Sequence, residues 1–85
     1  MGYIELDMDW RARLSSTPEV CHGDLCVTGT RIPVSVVLDN LAAGLSAGDI
    51  VASYPSLSHD DVRAALAWAA EIAREHAYLP ATRSR

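Results

Sequence analysis

The sequence predicts a mainly α domain in which three helices, the last two joined as a helix-turn-helix, follow a short β-hairpin. Three observations carry that reading. A helix-start phrase is written twice, as Leu45-Ser46-Ala47-Gly48-Asp49-Ile50 and as Leu57-Ser58-His59-Asp60-Asp61-Val62. An apolar face at Val34, Val37, Leu38, Leu41 and Ala42 follows helical spacing and is closed by Gly44. Ahead of it, the apolar pieces Val20-Cys21 and Leu25-Cys26-Val27 flank His22-Gly23-Asp24, a Gly/Asp turn of the kind that joins paired strands.

Residues 1–18 read as an N-terminal arm in which Trp10 and Leu14 lie among charges and Ser15-Ser16-Thr17-Pro18 breaks any period. Residues 19–78 form the domain. Its hairpin is too short to stand alone, so the outer edge is expected to pair with another strand, for which a second copy of the chain is one source. Gly29 is free to take a positive φ, and Pro33 suits the first position of the first helix. Leu45 can pack back on Leu41 and forward on Ile50, setting the angle to the second helix, about Ala47 to Ser53, which Pro55 stops. Gly48 weakens that helix by roughly 1 kcal/mol relative to alanine. The third helix, with Val62, Ala65, Leu66, Ala69, Ile72 and Ala73 on one stripe, is expected to run to about Ala77; residues 79–85 read as a polar basic tail. Its many alanines allow close approach of another helix, so a homodimer is expected.

In each start phrase a serine stands at the N-cap and an aspartate at N3, where its carboxylate can reach back to the N-cap N–H, while apolar residues at N′ and N4 clasp across the first turn. The turn between the last two helices contains Tyr54-Pro55-Ser56. A helix-turn-helix poses the question of whether its second helix reads DNA or meets a protein.

Charge favours protein. The chain has a formal net charge of −4 at pH 7 and a pI of about 5.1, whereas a protein that binds nucleic acid alone carries a basic face that releases counterions from phosphates. Where the third helix would enter a groove it reads His59-Asp60-Asp61-Val62-Arg63, two carboxylates against one arginine. His59 and Arg63 are the candidate DNA contacts, and DNA is expected as a ligand only of a complex. No apolar run approaches the roughly 20 residues of a membrane span, and the first residues lack a secretory signal pattern, so a cytoplasmic protein with Cys21 and Cys26 as thiols is expected.

The run Gly23-Asp24-Leu25-Cys26-Val27-Thr28-Gly29-Thr30-Arg31-Ile32-Pro33-Val34, then Leu41-Ala42-Ala43-Gly44-Leu45-Ser46, Tyr54-Pro55-Ser56-Leu57 and Asp61-Val62-Arg63-Ala64-Ala65-Leu66, resembles the bacterial domain-of-unknown-function family 433 over about residues 19–73. Cys26 and Gly48 depart from the commoner family pattern. The resemblance implies a homeodomain-like three-helix fold preceded by short strands. It also implies the antitoxin half of a toxin–antitoxin pair, encoded beside a PIN-like ribonuclease.

On that implication the toxin-binding candidates are Arg83, Arg85 and Arg31. Ribonucleases of the PIN-like kind hold divalent metal in a cluster of acids, and an inserted arginine would pair with those carboxylates and displace the ion. A solvated terminus is the plain alternative for Arg83 and Arg85. For Arg31, whose planar fork precedes a helix start, it is a tie between strand and helix. Thr28 and Thr30 read as turn architecture. Cys21, His22, Asp24 and Cys26 lack the spacing and second ligand pair of a structural zinc site, and no acid pair, phosphate loop or nucleophile motif is present. No metal, cofactor or enzymatic activity is therefore expected. The expected function is neutralisation of a PIN-like ribonuclease, with operon autoregulation as part of the complex. The alternatives are a homodimeric helix-turn-helix transcriptional regulator and a structural adaptor.

Overall fold

A computed structural model describes residues 9–75. Their order is a 3-10 turn (Trp10–Arg13), strand β1 (Leu14–Ser15), a second 3-10 turn (Cys21–Gly23), β2 (Cys26–Val27) and helices α1 (Val34–Ala42), α2 (Ala47–Ser53) and α3 (His59–Glu75). The predicted mainly α architecture, three helices behind an antiparallel strand pair, is what forms. The tail, and the expected end of the third helix at about Ala77, lie outside the described residues.

The strand pair differs from expectation in its first member. β2 pairs with Leu14 and Ser15, in the register Leu14↔Val27 and Ser15↔Cys26, and Cys26 also bridges Pro33. Val20 instead bridges Thr17. The backbone supplies the reason. His22 (φ 55°) and Gly23 (φ 88°) are consecutive left-handed residues that wind the chain into a turn, and the Gly23 N–H is held by the Thr17 and Val20 carbonyls at 3.1 and 3.2 Å. Position 21 is thus taken out of the extended path a strand needs. Leu14, from the segment read as an arm, is buried and completes the ladder. Cys26 is buried and disulfide-bonded, which corrects the expectation of free thiols. Reasoning from compartment has no access to how near a fold brings two sulfurs.

Pro33 sits one position earlier than expected, as the N-cap of α1, and Val34 opens the helix. The helix closes in a Schellman arrangement. The Leu45 N–H bonds the Asn40 carbonyl and the Gly44 N–H bonds the Leu41 carbonyl, each at 3.0 Å, with Gly44 at φ 101°. A side chain at Gly44 would meet open space, so the requirement for glycine there is one of φ and not of room.

Ser46 then caps α2 with both halves of the capping box present: Ser46 N–H to Asp49 Oδ2 at 3.0 Å and Asp49 N–H to Ser46 Oγ at 3.1 Å. The second box opens α3, with Ser58 N–H to Asp61 Oδ2 at 2.9 Å and Asp61 N–H to Ser58 Oγ at 3.2 Å. Together the two boxes give side-chain partners to four backbone donors at the helix starts.

The core is one cluster of Leu14, Val27, Val34, Val37, Ile50, Leu57, Val62, Ala64 and Ala65, with Trp10, Leu45, Tyr54 and Trp68 packed against it. Burying a side chain such as Ile50 or Val37 contributes about 1.5–3 kcal/mol. On α3 the buried stripe is rotated from the predicted one: Ala64 is buried, while Leu66 is 47% exposed and Ala73 is exposed. The cause is the turn Trp10–Arg13, which docks along α3 and covers part of the helix that α1 and α2 leave open.

Candidate functional site

The N-terminus of α3 carries a four-membered charge cluster. Asp61 is the buried charged residue of the core, at 9% exposure among the described residues. Its Oδ2 is used by the capping box, which leaves Oδ1 to accept a hydrogen bond from Arg13 Nη1 at 3.1 Å. Arg13 also lies 3.6 Å from Asp60, and Asp60 takes Arg63 at 3.2 Å. Two guanidinium groups and two carboxylates sum to zero, on the turn of helix that a groove-reading protein would present to phosphate. The carboxylates also sit against the positive end of the helix dipole, which stabilises them and is itself offset by them.

Of the two candidate DNA contacts, Arg63 is thus engaged with Asp60, and His59 is the exposed first residue of α3. Arg13 was missed by sequence reasoning. The two adjacent carboxylates ask for a cation, but Arg13 is separated from Asp61 by 48 residues and nothing local selects it over Arg11. Arg11 has a different role, lying over the Trp10 ring at 4.3 Å from its centroid.

Arg31 lies elsewhere. It lines an open cleft of about 560 Å³ together with Ser15, Thr17, Val20, Gly29, Thr30 and Ser56. Three stretches distant in sequence meet there: the end of β1 and the bridge after it, the turn from β2 to α1, and the turn from α2 to α3. The turn that carries Arg31 is fixed by its own backbone bonds. Thr30 Oγ1 donates to the Val27 carbonyl at 2.8 Å and accepts the Ile32 N–H at 3.0 Å, and Gly29 adopts φ 84°. Thr30 is architectural, as its position in the sequence suggested. Arg83 and Arg85 lie outside the described residues.

Among the described residues, the carboxyls of Asp49 and Glu71 are held below their ordinary range. The Ser46 backbone N–H, and after it the Ser46 side chain, hold Asp49 low. Glu71 is held low chiefly by a hydrogen bond from Arg74 at 2.7 Å, against the effect of partial burial. Both serve helix ends or helix faces. Among the described residues, no group of three or more His, Cys, Asp or Glu side chains is placed to hold a metal, and no helix is long and apolar enough to cross a membrane.

A capped three-helix unit set on a two-stranded antiparallel ladder defines the class to which this chain belongs by fold. By sequence, residues 14–69 match the family model described as "Protein of unknown function (DUF433)", and the chain belongs to that family. It is similar to a solved DUF433 member protein from Anabaena variabilis ATCC 29413. The identity is 31%, with a TM-score of 0.63 over 78% of this chain and 69% of that one. No curated protein matches the chain.

Proposed function

We propose that this chain is an antitoxin-like protein that binds and neutralises a PIN-like ribonuclease in the cytoplasm, acts as a homodimer, performs no chemistry of its own, and contacts operator DNA only as part of the complex. One observation carries the reading: Arg63 on α3 and Arg13 packed against its first turn are both engaged by Asp60 and Asp61, so the helix start that would face a groove offers phosphate no net positive charge. The toxin and the operon arrangement come from family resemblance. Arg31, with Arg83 and Arg85 in the tail, supplies the cations for acidic groups on the partner.

The test is co-purification with the ribonuclease encoded beside this chain, followed by RNA cleavage with and without it. Cleavage should fall as the chain is added in stoichiometric amount. Removing residues 81–85 should weaken inhibition, and an unchanged inhibition constant removes the tail from the mechanism.

A second reading, a homodimeric helix-turn-helix regulator without a toxin, is favoured by the pair of capped helices α2 and α3 joined by a short turn. A sequence-dependent, salt-sensitive shift of a DNA duplex by the purified chain alone, at physiological salt, supports that reading and overturns the first.

A further inference from the structure

We infer that the turn Trp10–Arg13 is a releasable strap on α3, held shut by Arg13 on Asp60 and Asp61, and that a partner segment carrying arginine beside an aromatic ring takes its place. The inference rests on the protein-binding reading above and gives it a surface and a control point.

The turn is built to part from α3 without emptying the core. None of its four residues is buried, whereas Leu14, the next residue, is. Its own backbone makes one 3-10 turn, from the Ala12 N–H to the Asp9 carbonyl at 3.1 Å and from the Leu14 N–H to the Arg11 carbonyl, with no side-chain cap at Asp9. So short a 3-10 turn is weak by itself, and α3 supplies its support. The hinge lies just behind it. The Thr28 N–H bonds the Arg13 carbonyl at 2.8 Å and Leu14 pairs with Val27, so the strand pair keeps hold of the chain when the side chains of residues 10–13 leave.

The catch opens without orphaning a charge. The side chains of Arg13 and Asp60 are 38% and 45% exposed, so water already competes for that pair. When Arg13 leaves, Asp60 keeps Arg63 at 3.2 Å and Asp61 keeps the Ser58 N–H at 2.9 Å. The guanidinium returns to solvent. Low burial, few backbone bonds and exposed ion pairs are the marks of the parts of a protein that open at least cost.

The surface beneath sets the chemistry of what replaces the strap. Asp61, Ala64, Trp68 and Glu71 follow one another at intervals of three, four and three residues, which places them along one face of α3. Arg13 holds the Asp61 end. The Glu71 carboxyl, held low first by Arg74, is lowered further by the charge of Arg11, which lies over the Trp10 ring. The strap thus lays an indole and two guanidinium groups along an acid-ended face whose middle residue, Ala64, has no exposed surface. Lifted, it leaves two carboxylates against Arg63 alone at the helix start, a net charge of −1 where the closed form sums to zero. That surface repels phosphate and draws a cationic segment.

The experiment follows the isotopically labelled full chain by NMR, without any ribonuclease, beside its Arg13→Asp variant. In the variant the Trp10 indole N–H should move to the position of a solvated tryptophan, while the methyls of Val37 and Ile50 keep their places. Arg13→Gln should move it the same way by a smaller amount. Arg74→Asp, an equal change of charge beyond the strap, should leave Trp10 where it is. A capped Trp-Arg-Ala-Arg peptide should shift the amides of Asp61, Ala64 and Trp68 in the Arg13→Asp variant and saturate. It should bind the natural chain more weakly by about tenfold or more, because the tethered strap competes at high effective concentration. A capped Trp-Glu-Ala-Glu peptide should leave both unchanged.

Loss of the Val37 and Ile50 methyl positions together with that of Trp10 in both Arg13 variants, an unmoved Trp10 in both, or no saturable shift with the arginine peptide each overturns the inference. If the strap fails these tests while the ribonuclease still co-purifies, only the strap falls. If it passes them and the ribonuclease does not associate, the assignment of the partner falls instead.

Discussion

The same local device opens α2 and α3, with closely matched hydrogen bonds, but the surroundings of the two copies differ. At Ser46 and Asp49 the box is exposed and does only what a box does: it satisfies two N–H groups at a helix end. At Ser58 and Asp61 the aspartate is buried, and its second oxygen accepts Arg13 from the first turn of the described chain. A local motif therefore fixes where a helix begins, while tertiary context decides whether the same carboxylate also holds distant parts together.

Mutations can break this comparison or sharpen it. The largest effect is expected at the apolar residue that follows each box, since Ile50 and Val62 are both almost fully buried. Ile50→Ala should lower unfolding stability by about 3 kcal/mol in denaturant titration. A loss below about 1 kcal/mol would mean that α2 is held by its caps and not by the core.

The comparison itself is tested at the aspartates. Asp61→Ala removes the box and the closer of the two carboxylates that Arg13 meets, leaving it the one at Asp60, so a cost of about 2 kcal/mol is expected. Asp49→Ala should cost clearly less, and equal shifts in midpoint for the two variants would erase the distinction drawn here. At the serines the boxes should behave alike, with Ser46→Ala and Ser58→Ala each costing about 1 kcal/mol.

A double-mutant cycle isolates the difference. Arg13 and Asp61 should couple by about 1 kcal/mol, and Arg13 should show no measurable coupling to Asp49.

The smallest effect is that of acid. Asp49 has its carboxyl held below the ordinary value of 3.8 by Ser46, so the unfolded chain takes up the proton first as pH falls. Its contribution is present above that value and is lost as pH drops through the lower native one. The melting temperature of Asp49→Asn should therefore fall less steeply than that of the natural chain between about pH 5 and pH 2.

Where sequence succeeded and failed follows from the range of each interaction. Both boxes, the stop at Gly44 and the extent of α2 are set within a few residues, and each was readable from the order of Ser, Asp, Gly and Leu. The partner of β2 was not. A two-residue strand has no period, and Val20-Cys21 and Leu14-Ser15 are equally short; the left-handed pair at His22 and Gly23 decides between them. On α3 the rotation of the buried stripe, with Leu66 out and Ala64 in, depends on where Trp10–Arg13 docks. Arg31 was recognised as a fork ahead of a helix, but Ser15, Thr17 and Ser56 join it only because three separate turns converge.

The bond between Arg13 and Asp61 closes a span of 48 residues, and the core on which it rests mixes Leu14 and Val27 with Val62, Ala64 and Ala65. During synthesis the amino-terminal part leaves the ribosome first and has nothing to rest on until the start of α3 has followed it out. Contacts so distant along the chain are made late, after their closure entropy has been met. Until then the newborn polypeptide shows its apolar strand residues to whatever is nearby, so its exposure to mispairing lasts as long as the ribosome takes to release the start of α3.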